Sequence, residues 1–344
     1  MTKPPFVQSS WEKKDTKLEC ILRPNRLDEF IGQSATIEKL KVFIGAAKKR
    51  DEALGHALFH GPPGLGKTTL AHILENEMGT DLIMTSGPAI EKPADLVGIL
   101  TRLKRGDILF IDEIHRLKRT VEEYLYPAME DFKLDLTVDS GSQAKSVRVP
   151  LNPFTLVGAT TRTGQLSAPL RSRFGLTCRL DYYSSDFLAD ILVRSSAILS
   201  VEVDDESTLE IAKRSRGTPR TANNLLKWVR DYAQMRSDNK FDRITTRTAL
   251  EMLDIDFLGL DIMDKRMLEH MIDHHEGGPV GIDTLAIALG EESSTLEEVH
   301  EPFLIMQGFI KRTQRGREVT KLAYRHLGRS TAPTRVSGEM RDES

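Results

Sequence analysis

One stretch of the sequence limits the possible folds more than any other: a glycine-rich loop between an apolar run and a predicted helix. Residues 58–70 have the sequence LFHGPPGLGKTTL. Glycines such as Gly64 and Gly66 allow backbone N–H groups to approach a triphosphate, and the N-terminus of the next helix favours its negative charge. At this spacing Lys67 contacts the β- and γ-phosphates, and Thr68 places its hydroxyl on a magnesium ion. A plain glycine-proline turn would not need the Lys-Thr pair, so the stretch predicts a nucleoside triphosphate site.

The composition sets the broad class of the protein. The chain has 344 residues, of which 39% are hydrophobic and 29% charged, as in ordinary soluble proteins of two or three domains. Its formal charge of −3 does not predict a nucleic-acid binder, so any DNA contact must come from a local basic patch. Cys20 and Cys178 are too few for a disulfide framework, and no apolar run has the length of a signal peptide or a membrane span. These features predict a cytoplasmic protein with no membrane partner.

Two carboxylates end the next strongly apolar run. Residues 107–113 have the sequence DILFIDE, and its four consecutive apolar residues are typical of a parallel strand buried on both faces. Ligands of such sheets bind at the carboxyl ends of the strands. We therefore expect Asp112 to take part in the magnesium shell and Glu113 to polarise the water that attacks the γ-phosphate. Acidic residues also occur at helix starts, so this prediction depends on the phosphate loop upstream.

Three later segments add hydroxyls and arginines that suit a triphosphate site. Residues 154–162 form a further buried strand ending in two threonines, where a hydroxyl can sense the γ-phosphate or orient water. Arg171 and Arg173 lie in a predicted loop, and an arginine near a neighbouring subunit's γ-phosphate can stabilise transition-state charge. A pair of surface arginines is the alternative. Arg220 falls in the first turn of a predicted helix, where a cation is unfavourable unless an anion is nearby.

A β-hairpin is predicted over residues 133–151. Polar and apolar residues alternate on both sides of a turn-forming segment at 139–142. Because the hairpin is inserted between the acidic strand and the next core strand, it should project from the domain. It is either an edge ribbon or a docking arm for a partner.

The C-terminal part of the chain has segregated charge. Residues 257–307 contain two basic and eleven acidic residues, whereas residues 308–329 contain seven basic residues and one acidic residue. Three predicted helices precede two short strands around a basic turn, an order typical of a winged helix whose wing contacts a phosphate backbone. A solvated run of charges is the alternative. Residues 1–20 and 331–344 are polar and are predicted to form a loose arm and a disordered tail.

Together these motifs resemble those of AAA+ ATPases, with Walker A, Walker B, sensor 1, arginine finger and sensor 2. In more detail, the chain is similar to the RuvB family of bacterial motors that drive Holliday-junction branch migration. The resemblance spans roughly residues 4–330. It is carried by LRP at 22–24, FIGQ at 30–33, the phosphate loop, PAMEDF at 127–132, GATTR at 158–162, LRSRFG at 170–175 and QGF at 307–309 with the basic segment after it. The tip of the predicted hairpin is more polar than the family pattern.

The resemblance implies an α/β fold in three parts. These are a P-loop AAA+ core over residues 21–183 with a parallel sheet and helices on both faces, a small all-α lid over 184–255, and a winged-helix DNA-binding head over 256–330. It implies a homohexameric ring that hydrolyses ATP with Mg²⁺ and drives duplex DNA through Holliday junctions in recombination and DNA repair. It also implies two protein partners: RuvA, which would dock on the 133–151 hairpin and load the ring, and the resolvase RuvC.

The resemblance further implies roles for individual residues. The implied nucleotide-binding residues are Leu22, Arg23, Gly64, Gly66, Lys67, Thr68, Thr69, Glu130, Asp131, Phe132, Tyr183 and Arg220. The implied catalytic residues are Lys67, Asp112, Glu113, Thr161 as sensor 1 and Arg173 as a finger acting in trans, with Thr68 and Asp112 at the metal. The implied DNA contacts are Lys311, Arg312, Arg315 and Arg317.

Two other functions share part of this sequence pattern. An AAA+ clamp-loader or protein-remodelling subunit would have the same ATPase core but would use its C-terminal domain for protein contacts. A nucleotide-switch module would bind ATP without turnover. The basic segment 311–317 distinguishes the motor from the first alternative, and Glu113 distinguishes it from the second.

Overall fold

The computed structural model describes residues 21–138, 145–238 and 241–330. The predicted arm, the tip of the predicted hairpin and the predicted tail lie outside these residues. The chain divides into two compact units, one ending at Lys227 and the other beginning at Trp228. Among the described helices, none is both long and apolar enough to cross a membrane.

A five-stranded parallel sheet forms the centre of the first unit. The strands of this unit are β1 (Ala57–His60), β2 (Leu82–Ser86), β3 (Ile108–Asp112), β4 (Lys133–Val138), β5 (Lys145–Pro150), β6 (Thr155–Thr160) and β7 (Leu176–Arg179). The sheet order is β2-β3-β6-β1-β7, and every pairing in it is parallel. All of β6, and β3 as far as Ile111, are buried, which confirms the two central strands predicted from their apolar runs.

In the described part of the first unit, one α-helix precedes β1, four lie between strands and three follow β7. They are α1 (Ser34–Arg50), α2 (Lys67–Met78), α3 (Pro93–Leu100), α4 (Arg119–Asp131), α5 (Ala168–Ser172), α6 (Ser185–Ile198) and α7 (Asp205–Arg214), and α8 (Pro219–Arg236) contains the division between the units. Cys178 lies buried in β7, and burial raises the pKa of its thiol to about 11. This placement agrees with the prediction of an ordinary thiol.

The predicted hairpin is present as the antiparallel pair of β4 and β5, with Lys133 opposite Pro150. Just before the hairpin, the end of α4 is joined to the sheet by His56, which precedes β1. The imidazole Nε2 lies 3.0 Å from the Met129 carbonyl of α4, and Nδ1 accepts a hydrogen bond of 2.8 Å from the Leu156 N–H of β6. Burial lowers the pKa of His56, so the ring is neutral and can make both contacts.

Helices followed by a two-stranded wing form the second unit. Its elements are α9 (Arg243–Glu251), α10 (Ile262–His275), α11 (Ile282–Leu289), α12 (Ser293–Thr295), α13 (Glu301–Met306), β8 (Ile310–Thr313), β9 (Gly316–Val319) and α14 (Lys321–His326). A π-helical turn over Leu296–His300 joins α12 to α13. Leu268, Phe303 and Phe309 belong to a core that joins the helices to the wing. The winged-helix order predicted from the sequence is confirmed.

Candidate functional site

The glycine-rich loop connects β1 to α2 in a backbone conformation that requires glycine. Gly61, Gly64 and Gly66 have φ values of 141°, 78° and 103°. A Cβ at Gly61 would lie 2.2 Å from the Leu180 carbonyl oxygen, so a side chain is excluded there by space as well as by conformation. Since α2 begins at Lys67, the first N–H groups of that helix are free of intrahelical partners and can bind a ligand held by the loop.

Lys67 is buried beneath the loop and its ammonium group donates to two backbone carbonyls. Nζ lies 2.8 Å from the Gly61 oxygen and 2.8 Å from the Pro62 oxygen. Burial lowers the pKa of Lys67 to about 8, although the nearby carboxylates of Asp112 and Glu113 act in the opposite direction. A desolvated ammonium of this kind is suited to an anionic ligand, because a phosphate would supply the compensating charge.

A cleft of about 210 Å³ collects most of the predicted site residues of the first unit. Its lining includes Leu22, Arg23, Gly64, Gly66, Lys67, Thr68, Thr69, Asp112, Glu113, Thr161, Tyr183 and Arg220. These residues come from the segment before α1, the loop and the start of α2, the carboxyl ends of β3 and β6, and segments that follow β7. The cleft therefore lies at the carboxyl edge of the sheet, as the strand polarity predicts.

A hydrogen-bond network surrounds Glu113 at the end of β3. Glu113 has a left-handed backbone with φ of 47°, and the Thr161 hydroxyl lies 3.4 Å from its Oε2. His115 Nδ1 lies 3.4 Å from the same oxygen and 2.9 Å from the Thr160 hydroxyl. Thr160 is fully buried, whereas Thr161 lines the cleft, so Thr161 is the better placed of the two threonines to face a phosphate.

His115 is a residue that the sequence analysis missed. Its side chain is 4% exposed and joins the Glu113 carboxylate to the end of the neighbouring strand β6. A histidine one residue beyond a pair of acids has no spacing signal of its own. Only the parallel pairing of β3 with β6 brings it to Thr160.

The other wall of the cleft contains further residues that the sequence did not predict. Arg194 of α6 donates a hydrogen bond of 2.7 Å to the Leu22 carbonyl and one of 3.4 Å to the Arg23 carbonyl. These bonds hold the segment before α1 in place. Tyr183, which the resemblance does predict, lies on the same wall. Its hydroxyl donates a hydrogen bond of 3.4 Å to the Leu65 carbonyl, and burial raises the pKa of its phenol. The remaining unpredicted lining residues are Pro24, Glu29, Phe30, Ile31, Pro63, Leu65, Ile191, Pro219, Asn223 and Asn224.

The donors present fit a magnesium ion bound together with a triphosphate. Thr68 and Asp112 both line the cleft and supply a hydroxyl and a carboxylate, which are oxygen ligands that Mg²⁺ prefers. The Asp112 Oδ1 accepts the Glu113 N–H at 2.9 Å, so this carboxylate has a fixed orientation. Within the described residues no hydrogen bond reaches its other oxygen, which would be the one to coordinate the ion.

Four of the predicted residues do not line the cleft: Arg173, Glu130, Asp131 and Phe132. The Phe132 ring packs 5.8 Å from that of Phe154, against the hydrophobic core, which removes it from the nucleotide of its own chain. Arg173 forms an ion pair of 3.0 Å with Glu130 and donates a hydrogen bond of 2.7 Å to the Pro169 carbonyl. Its absence from its own cleft is what an arginine acting in trans requires.

The wing carries the predicted DNA-contacting residues, but they differ in exposure. Lys311, Arg312 and Arg315 are exposed, whereas Arg317 is buried and forms an ion pair with Glu301 at 2.8 Å. The expectation that Arg317 contacts DNA stays a prediction; in the chain alone its guanidinium faces Glu301 of α13.

Comparisons with known proteins cover nearly the whole described chain. Three family models match: the Holliday junction DNA helicase RuvB P-loop domain over residues 22–180, the RuvB AAA lid domain over 183–256, and the RuvB C-terminal winged helix domain over 257–328. The Holliday junction branch migration complex subunit RuvB of Protochlamydia amoebophila is 61% identical over 322 residues, 94% of this chain and 97% of that protein. The corresponding Flavobacterium johnsoniae subunit is 56% identical over 319 residues, 93% of this chain and 94% of that protein.

A solved structure agrees with this assignment. The Thermotoga maritima RuvB Holliday junction branch migration motor superposes with a TM-score of 0.84 at 49% identity, covering 91% of this chain and 100% of that chain. The similarity includes the P-loop core, the lid and the winged helix, so the fold class predicted from the motifs is confirmed. The chain belongs to the RuvB family, the AAA+ ATPases that drive branch migration of Holliday junctions.

Proposed function

We propose that this chain is the ATPase subunit of a motor that pulls duplex DNA through Holliday junctions in recombination and repair. The observation that carries the proposal is the convergence of Lys67, Asp112, Glu113, Thr161 and Arg220 on one cleft. This set contains a phosphate-binding cation, a metal ligand, a base for water, a γ-phosphate sensor and a second cation. A nucleotide-switch module would not need the base.

Each residue has a separate task in the proposed hydrolysis. Lys67 and the N–H groups of the loop orient the β- and γ-phosphates in line with the attacking water. Glu113 accepts a hydrogen bond from that water and polarises it, while Thr161 orients the Glu113 carboxylate and the γ-phosphate. Arg220 neutralises phosphate charge from the lid side of the cleft. Thr68 and Asp112 would hold Mg²⁺, which would neutralise phosphate charge when bound.

The motor is proposed to act as a homohexameric ring in which each cleft is completed by Arg173 of a neighbour. An arginine delivered in trans couples hydrolysis to the contact between subunits, because a subunit alone lacks the transition-state charge. In the chain alone, the Arg173 guanidinium is held by the Glu130 carboxylate. To act as a finger, Arg173 must exchange this carboxylate for the γ-phosphate of the neighbouring subunit. Glu130, Asp131 and Phe132 then belong to the subunit boundary rather than to the nucleotide of their own chain.

The proposed partners are those that the family resemblance implies. RuvA would dock on the β4–β5 hairpin, whose β5 strand exposes Val147, and RuvC would act on the same junction. The compartment is proposed to be the cytoplasm. The wing cations would contact the DNA backbone without reading its sequence.

A branch-migration assay tests this function directly. Purified protein with ATP and Mg²⁺ should dissociate a synthetic four-way junction into two duplexes by moving the branch point, without cutting a strand. Addition of the RuvA partner should accelerate the reaction. Glu113→Gln protein should bind the junction but move no strand. ATP hydrolysis without any strand movement, with and without RuvA, would instead favour a clamp-loader or remodelling role.

A further inference from the structure

The Arg173 guanidinium lies over an aromatic side chain of α4. Its Cζ is 4.4 Å from the centre of the Tyr126 ring, inside the distance at which a cation is attracted to the face of an aromatic ring. The same guanidinium pairs with Glu130 and donates a hydrogen bond to the Pro169 carbonyl. Its Nε is buried and has no hydrogen-bond partner within the described residues. A carboxylate, a carbonyl and a ring thus hold the guanidinium in place.

Tyr126 is itself held at its hydroxyl end by a small polar network. The hydroxyl donates a hydrogen bond of 3.0 Å to Glu122 Oε2 and lies 3.3 Å from the hydroxyl oxygen of Ser167. Ser167 donates a hydrogen bond of 2.7 Å to the same Glu122 oxygen. Glu122 is buried, and hydrogen bonds to a carboxylate are stronger than those between neutral groups. These bonds restrict the orientation of the ring.

The same network reaches the short helix that precedes Arg173. Ser167 is the N-cap of α5, and its hydroxyl oxygen accepts a hydrogen bond of 3.3 Å from the Leu170 N–H. Arg173 directly follows α5, and its N–H donates a hydrogen bond of 3.2 Å to the Leu170 carbonyl. Glu122 therefore joins the ring beside the guanidinium to the start of the helix that positions the arginine backbone.

The contacts of the guanidinium differ in how they respond to a phosphate. Glu130 is a charged competitor with an exposed side chain, so its ion pair must be broken when Arg173 binds a phosphate. The Tyr126 ring is uncharged, so it attracts the guanidinium without neutralising it. The ring can therefore keep the arginine oriented while a phosphate replaces the carboxylate. A catalytic group that is already oriented loses less entropy on the way to the transition state.

We infer that Tyr126 is the positioning residue of the arginine finger, with a ring that keeps the Arg173 guanidinium ordered for the γ-phosphate of the neighbouring subunit. Glu122 and Ser167 in turn hold the ring. The inference rests on the proposed role of Arg173 in trans and adds a residue to it. Tyr126 is not among the residues that line the cleft of its own chain. Its effect must then appear in the neighbour's cleft, which a packing role within the chain does not require.

Two substitutions of Tyr126 separate the ring from the hydroxyl. Tyr126→Leu removes the aromatic face, so kcat for ATP hydrolysis should fall between about tenfold and a hundredfold, the scale of a misplaced catalytic group. The dissociation constant for ATP should stay close to its original value, because the phosphate loop is intact. Tyr126→Phe keeps the aromatic face and should recover most of the rate. A Tyr126→Leu protein with full kcat would overturn the inference.

Tyr124→Leu is the matched control for these substitutions. Tyr124 is a partly buried tyrosine of the same helix and packs against the same hydrophobic core as Tyr126. Because the ring that lies against Arg173 is that of Tyr126, Tyr124→Leu should keep its kcat. An equal loss of kcat in both variants would show that the rate responds to the packing of α4, and this result would also overturn the inference.

Mixed rings show in which cleft the Tyr126→Leu defect lies. A Lys67→Ala subunit has an inactive phosphate loop but intact Tyr126 and Arg173. Mixed with Tyr126→Leu protein, it should raise hydrolysis per Tyr126→Leu subunit, because it supplies an ordered finger to a complete phosphate loop. Arg173→Ala protein should not do so, because neither member of that mixture supplies an ordered finger. Recovery with Arg173→Ala, or none with Lys67→Ala, would place the defect in its own chain and overturn the inference.

A further mixture tests the proposed function separately. Lys67→Ala and Arg173→Ala proteins should recover hydrolysis when mixed, whatever the role of Tyr126. If they do not, although both assemble, the finger in trans fails and the inference fails with it. If they recover whereas Tyr126→Leu with Lys67→Ala does not, the finger in trans stands and only the role given to Tyr126 is wrong.

Fluorinated phenylalanines at position 126 give the answer if Tyr126→Leu does not fold. Each fluorine withdraws electron density from the face of the ring with little change in its shape, so it weakens the attraction for a cation. From phenylalanine to trifluorophenylalanine, kcat should fall stepwise by about two- to fivefold in all, the scale of a cation–ring contact at an exposed site. A kcat that does not depend on the number of fluorines would overturn the inference, because a ring that only packs is insensitive to its charge distribution.

Discussion

The nucleotide cleft and the wing use positive charge in opposite ways. Lys67 is buried, its ammonium contacts carbonyl oxygens, and its pKa is lowered to about 8. The wing cations Lys311 and Arg312 are exposed, and each is paired with a carboxylate. A buried cation beside neutral acceptors is prepared for one anionic ligand, whereas an exposed ion pair must exchange partners and contributes less. We therefore expect substitutions in the cleft to change the rate of hydrolysis greatly. Substitutions in the wing should change DNA affinity by smaller amounts that depend on the salt concentration.

The largest expected effect is the loss of ATP hydrolysis on removal of Arg173, which tests whether each cleft needs a residue from a second chain. Arg173→Ala should lower kcat for ATP hydrolysis by about 10³-fold or more, because an arginine finger stabilises the charge of the transition state. Arg171→Ala is the matched control, since Arg171 is an exposed neighbour in the same segment, and it should retain its rate. Steady-state phosphate release measures both.

Mixing two inactive variants shows whether Arg173 acts in trans. Lys67→Ala protein has an intact Arg173, and Arg173→Ala protein has an intact phosphate loop. A mixture should recover part of the hydrolysis, because mixed rings contain some complete clefts. If no mixing ratio restores activity while both variants still assemble, the shared cleft is refuted.

Glu113→Gln should give the next largest loss. The amide keeps the shape of the side chain but is a poor acceptor for the proton of the attacking water, so kcat should fall by about 10³-fold. The dissociation constant for ATP should stay close to its original value, because Lys67 and the loop are unchanged. Glu123→Gln, at an exposed position of α4, serves as the control. A large loss of ATP affinity would show that Glu113 contributes to binding rather than to hydrolysis.

The difference between cleft and wing also explains how far the sequence could predict the structure. The phosphate loop was predictable because its residues act through local backbone geometry: the positive φ values of Gly61, Gly64 and Gly66 depend on the loop alone. Arg317 was not predictable, since its direction depends on the register of β9 and on a glutamate sixteen positions earlier in the chain. A cluster of basic residues indicates a charged surface but not which member faces inward.

His115 and Phe132 illustrate the same limit inside the first unit. His115 reaches Thr160 only through the pairing of two strands that are distant in sequence. Phe132 belongs to a segment that matches the family pattern, but its ring packs in the core against Phe154. Motifs predict which residues matter, and the tertiary packing decides which of them reach the ligand.

His115→Phe should have an intermediate effect. It removes the hydrogen-bonding nitrogen that lies between Glu113 and Thr160, so the carboxylate loses part of its orientation. We expect kcat to fall between about tenfold and a hundredfold, the scale of a misplaced catalytic group, while ATP affinity is retained. His115→Asn, whose amide can replace Nδ1, should recover much of the rate. His72→Phe, on the partly exposed face of α2, controls for the loss of a histidine elsewhere.

The smallest effect expected is a pH dependence that only the cleft should show. The pKa of Lys67 in the free protein is about 8, so the ammonium is protonated below this pH and neutral above it. Because the charged form binds the triphosphate, kcat/KM should fall about tenfold between pH 7 and pH 9. Bound phosphates favour the ammonium, so kcat should keep its value to higher pH. Duplex binding by the wing, measured across the same pH range, should not follow this fall. A kcat/KM that stays level to pH 9 would mean that Lys67 is charged at every pH tested. The contrast between a desolvated cation in the cleft and solvated cations on the wing would then be wrong.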